Sequence, residues 1–169
     1  MLKRCVLLLL LLVTAPSYGA PALQPVRDLA ADAVRAGCNG QPLIVMFSAD
    51  YCQFCHTVRD LYLRPLLDDP SNQGLIIREL KTTSDARVTD FDGGQTTMQD
   101  LAFRYEVYLV PVVVFFGPGG SVLVDPMVGI SSQDFYGAYL KTALLTAQQA
   151  VRSQSSGGPS GALPEYACD

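Results

Sequence analysis

Residues 43–56 read LIVMFSADYCQFCH, and the reading of this stretch decides the fold. Leu43 to Phe47 is a continuous apolar run after Pro42, the pattern of a strand buried on both faces. Cys52 and Cys55 then stand at the mouth of a helix. The spacing of Val58, Leu61, Tyr62 and Leu66 carries that helix to Leu67, with Pro65 kinking or ending it. Two chemistries fit C-x-x-C-H. A dithiol at a helix start cycles with its disulfide. In an exported chain the same pattern attaches c-type haem, with His56 as the axial ligand.

Working outward, residues 27–36 (RDLAADAVRA) form a helix with Leu29, Ala30, Ala33 and Val34 on one side, stopped by Gly37. Residues 75–80 (LIIREL) are a second strand, which makes a β-α-β unit with a parallel pair. Residues 81–96 are polar and contain Asp92-Gly93-Gly94, so they read as a long surface loop. Thr97 and Asp100 are in capping-box spacing for a short helix from about Met98 to Tyr105. Residues 111–116 (PVVVFF) are a third strand. Gly117-Pro118-Gly119-Gly120 turns it into a fourth at 121–124, leaving Met127 in an irregular segment after Pro126. Ser131 with Asp134 opens a last amphipathic helix reaching about Ala150. The Ser/Gly/Pro-rich remainder, 151–169, reads as a flexible tail.

Residues 1–22 have the pattern of a signal peptide: Lys3 and Arg4, then Leu and Val from Val6 to Val13, then small residues with cleavage sites after Gly19 or Ala22. The apolar run is short of the roughly 20 residues of a membrane span. Cys5 precedes it and is not placed as a lipid acceptor. Cleavage removes two of the 12 basic residues and none of the 16 acidic ones, so the net charge goes from −4 to −6. That balance argues against nucleic acid or an anionic membrane surface as partner. Residues 23–150 suffice for one domain with one core. The segment assigns the chain to the periplasm, where disulfides persist.

The element order, with VMFSADYCQFC, Tyr105-Glu106-Val107 before Val110-Pro111, Phe115-Phe116 through Gly120, and Gly129, resembles the thioredoxin family over roughly residues 40–145. Asp90-Phe91-Asp92-Gly93 through Val107 is similar to its exported members, among them the periplasmic thioredoxins of sulfur-oxidation systems. The resemblance implies an α/β thioredoxin fold, a mixed four- to five-stranded sheet flanked by helices. It also implies a monomeric thiol–disulfide oxidoreductase without metal or cofactor. Its substrates are protein disulfides, with the reductase direction favoured and a membrane-embedded thiol transporter as electron source. An oxidase or isomerase of the same fold, or a non-catalytic binding module with structural cysteines, are the other readings. Haem fits less well. His56 is the only histidine, so Met98 or Met127 would have to be the distal ligand. Small c-type cytochromes are also mainly helical, and this chain carries three strong apolar strand patterns. Zinc lacks a second Cys/His pair.

Cys52, at the helix start, is then the nucleophile, its thiolate favoured by unpaired N–H groups below the ordinary value of about 8.5. Cys55, one turn in, is the resolving thiol. In this resemblance Val110 and Pro111 present backbone to an extended substrate beside Cys52, the proline being cis, and Tyr51 and Phe54 form an aromatic docking rim. Ordinary packing is the plainer reading of those rings. Thioredoxins usually bury an Asp where this chain has Met46. Glu79, on the neighbouring strand, is the acid placed to act as proton shuttle if alternation turns it inward; the other face leaves it in solvent. Cys38 and Cys168 are left over, and cysteine parity permits a structural bridge if their Cα atoms come within about 7 Å.

Overall fold

The computed structural model describes residues 23–130, 132–156 and 168. Residues 1–22, expected above to be a signal peptide, Ser131 and most of the expected tail lie outside the described residues.

The apolar run is the central strand. β2 (Leu43–Ser48) is buried at every residue. It pairs in parallel with β3 (Ile76–Lys81) and antiparallel with β6 (Val112–Phe116). β1 (Gln24–Pro25) lies parallel to β3 on one edge and β7 (Met127–Val128) antiparallel to β6 on the other, giving the order β1-β3-β2-β6-β7. Strand alternation divides the core into two apolar layers. Leu43, Val45, Phe47, Leu80, Val112, Val114 and Phe116 meet α1 (Leu29–Cys38) and α4 (Met98–Arg104). Ile44, Met46, Ile77, Val113 and Phe115 meet the motif helix and α5 (Gln133–Ser156). Each fully buried Leu, Ile or Phe contributes about 1.5–3 kcal/mol of burial.

Four sequence expectations are corrected. The motif helix does not end at Pro65. α2 (Gln53–Thr57) runs into a π-helical segment (Val58–Leu63) and then α3 (Arg64–Asp68), where Pro65 sits in a first turn and has no helical N–H bond to lose. The i→i+5 spacing of the π segment puts Leu63 inside with Val58 and leaves Leu61 exposed. The polar stretch 81–96 contains a hairpin, β4 (Arg87–Thr89) with β5 (Gln95–Thr97). It is anchored by buried Val88 and by Asp90, which pairs with Arg104. The strand expected at 121–124 is reduced to one bridge, Val122 with Phe116, and Met127–Val128 beyond Pro126 is the pairing segment instead. The turn before it needs Gly120: its φ is +81°, and a Cβ there would lie 2.5 Å from the Phe91 ring. Finally, α5 continues to Ser156, so the tail does not begin at 151.

Cys168 is bonded to Cys38 at the C-terminal end of α1, with Cα atoms 5.4 Å apart. Cys38 precedes β2 and the C-x-x-C follows it, so the two disulfides lie at opposite ends of a six-residue strand, about 20 Å long. Closing so long a loop restricts the unfolded chain. The double variant C38S/C168S should therefore lose about 2–4 kcal/mol in urea unfolding. Its thiol exchange at Cys52 should be unchanged.

Candidate active site

Cys52 is the N-cap of α2, and its Sγ accepts the N–H of Cys55 at 3.1 Å. The Cys55 and His56 N–H groups also reach the Cys52 carbonyl oxygen, at 3.1 and 3.3 Å. Cys52 and Cys55 are bonded to each other. Cys52 is half-buried, and Cys55 is wholly buried in the layer formed by Met46, Val58, Val113 and Phe115. A dithiol here thus has one sulfur offered to solvent and one withheld. Met98 lies in the apolar layer on the other face of the sheet from Cys55, so it is not placed to serve as a distal ligand above His56.

The Val110–Pro111 peptide is cis, and the Val110 carbonyl oxygen lies 3.9 Å from Cys52 Sγ. Pro111 is held by the N–H of Gly129, which donates to its carbonyl at 2.7 Å. Tyr51 is fully exposed and Phe54 largely so. Tyr108 and Leu109, the two residues before Val110, are exposed as well; the sequence reading did not single them out. Their position was visible in the sequence, directly before the Val110-Pro111 segment that faces Cys52.

Alternation on β3 turns Glu79 to the same face as Ile77, the face of the motif helix. It is buried, but not alone. Ser48 Oγ donates to Glu79 Oε1 at 2.6 Å. Arg59 grips both carboxylate oxygens, Nη2 to Oε1 at 2.5 Å and Nε to Oε2 at 3.1 Å. Arg59 Nη1 lies 3.0 Å from His56 Nδ1. A guanidinium only donates, so in this arrangement the imidazole accepts at Nδ1 and carries its proton on Nε2. A cleft of about 590 Å³ opens over the group, lined by Asp50, Tyr51, His56, Arg59, Glu79 and Lys81. Lys81 and Asp50 pair at its mouth. Arg59 and Ser48 were not legible as site residues, because a contact between residues 59 and 79 needs the helix packed on the sheet. Behind the motif, the buried Tyr136 hydroxyl has its titration pushed up by desolvation and then by Tyr62.

The family model for a thioredoxin-like domain matches residues 29–144, and the chain belongs to that family. The mixed sheet and the Cys52–Cys55 pair are those of a thioredoxin-like oxidoreductase fold. Among curated proteins no relative matches. Among solved structures it is similar to the DsbH oxidoreductase, with TM-score 0.51 and 21% identity over 79% of this chain and 92% of that one. Trxlp from Edwardsiella tarda EIB202 aligns with TM-score 0.47 and 21% identity over 70% and 98% of the chains. The periplasmic thioredoxin SoxS from Paracoccus pantotrophus aligns with TM-score 0.42 and 16% identity over 63% and 99%.

Tyr51 carries a left-handed backbone, φ +62°, without a packing contact to hold it there. Tyr51→Gly should raise the unfolding free energy by up to about 1 kcal/mol. If the ring is a docking surface, the same variant should raise KM for a protein disulfide while the rate toward a small disulfide stays constant.

Proposed function

We propose that this chain is an exported thiol–disulfide oxidoreductase that reduces protein disulfides through Cys52 and Cys55. The observation that carries the reading is the asymmetry of the pair: Cys52 half-exposed beside the Val110 carbonyl, Cys55 buried under it. The signal pattern of residues 1–22 supports export. No helix among the described residues is long and apolar enough to cross a membrane.

In the forward cycle the Cys52 thiolate attacks one sulfur of the substrate disulfide. That S–S bond breaks, a Cys52–substrate bond forms, and the departing substrate thiolate takes a proton from water. The Cys55 thiol then gives its proton to Glu79 and attacks Cys52 Sγ, expelling the second substrate thiolate. Two electrons have passed to the substrate and the protein is left as its disulfide. A dithiol donor, for which a membrane-embedded thiol transporter is the fitting class, returns it to the reduced state. Val110 and Pro111 hold an extended substrate segment, with Tyr51 and Phe54 as the rim.

Cys55→Ser should accumulate a mixed disulfide with substrate that Cys52→Ser cannot form, read by mass spectrometry. Reduced Cys52 should react with iodoacetamide rapidly at pH 6–7; an ordinary slow thiol would make the chain a scaffold. Equilibration with glutathione buffers decides the direction. A potential near about −120 mV, with the pair mostly oxidised in the cell, would make the protein an oxidase instead. Glu79→Gln should slow exchange, and a parent rate across pH 6–9 removes Glu79 from the mechanism.

A further inference from the structure

Thiol exchange explains the cysteines but not why a buried arginine joins the Glu79 carboxylate to the imidazole that follows Cys55. Arg59 and Glu79 have side chains only 14% and 10% exposed, so this is a largely buried ion pair on the wall of the cleft and not a freely solvated surface contact. Such pairs contribute little net stability relative to apolar residues of similar size. Apolar residues would fill this place at least as well, so a functional reason for the pair is worth testing.

We infer that Arg59 is a positioning residue for the exchange reaction, holding the Glu79 carboxylate in the orientation in which it takes the Cys55 proton. The inference rests on the exchange cycle above. Glu79 is the register partner of Met46, which shares a buried layer with Cys55, so the carboxylate stands on the cysteine side of the sheet. Two charge-assisted bonds from one guanidinium fork fix the orientation of a carboxylate in a way that a single bond cannot. The groups facing it are Arg59 from the π segment, Ser48 from β2, His56 from α2, and Lys81 and Asp50 around the cleft. Lys81 is occupied by Asp50, and Ser48 is neutral. Arg59 is therefore the cation in direct contact with Glu79. His56 accepts from the third guanidinium nitrogen and so orients it.

The test follows the rate at which reduced protein is oxidised by a peptide disulfide between pH 5 and 9. In Arg59→Met the rate should fall about tenfold or more, toward that of E79Q. Arg59→Lys, which keeps the charge but not the fork, should lie between the two. The double variant R59M/E79Q should reproduce E79Q alone, and it restores a neutral pair should Arg59→Met fold poorly. A parent-like rate in both Arg59→Met and Arg59→Lys overturns the inference. So does a double variant slower than E79Q, because Arg59 would then act on the thiols directly. Parent protein without exchange at any pH overturns the exchange reading as well, and is thereby distinguished from failure of the arginine role alone.

Discussion

A strand that is dry on both faces leaves its neighbours little choice. Leu43–Ser48 has no residue that reaches solvent freely, so its backbone groups are paired on both edges and its side chains covered on both sides. Parallel β3 on one edge requires a crossover, which the motif helix supplies. Antiparallel β6 on the other edge brings Pro111, at that strand's start, to the end of β2 from which the cysteines emerge. The approach of Val110 to Cys52 is thus a consequence of sheet register. Residues 58 positions apart meet because Phe47 and Val112 are partners.

β3 shows how a sheet tolerates charge in its interior. Arg78 and Glu79 are adjacent, so alternation sends them to opposite faces. Each finds its counter-charge on the helix of that face. Arg78 binds Asp32 of α1 through Nε at 2.6 Å and Nη2 at 2.8 Å, while Glu79 binds Arg59 of the π segment. Removing Arg59 would leave the buried Glu79 charge without its cation, a loss larger than the net worth of the pair itself, whereas Asp32 keeps a second cation in Arg35. The two pairs therefore fix the register of β3 against both helical layers. A one-residue slip would exchange an acid for a base on each face.

How far this was legible from the residues depended on whether the signal was local. The apolar strands, the C-x-x-C and its helix, and Pro111 before the third strand are written in contiguous patterns, and the fold followed from them. Elements set by distant packing were not so written. β1 is two residues whose only strand signal is a partner 54 positions away, Gln24 beside Arg78. The β4–β5 hairpin is polar, and its order comes from Asp90 bonding Arg104 and from Val88 under α1. The π segment left Leu63 where 3.6-residue periodicity expected Leu61, because the period itself changes there. For Glu79, alternation alone left two faces open. The parity of Ile77 and Met46 inside one layer closes that question, and this needs the sheet.

Met46 and Glu79 are register partners, so the carboxylate stands one strand spacing, about 4.8 Å, from position 46 and on the same face of the sheet. On β2 a carboxylate at position 46 would stand in the middle of the cysteine layer, where Met46 now packs fully buried against apolar neighbours. On β3 it stands at the margin of that layer, beside a cleft through which water can enter and a helix that can lend a guanidinium. That position gives the acid an open cleft and a counter-charge beside it. It also ties the acid to the geometry of the helix opposite, because Arg59 lies in the π segment whose wider turn sets which residues face the sheet.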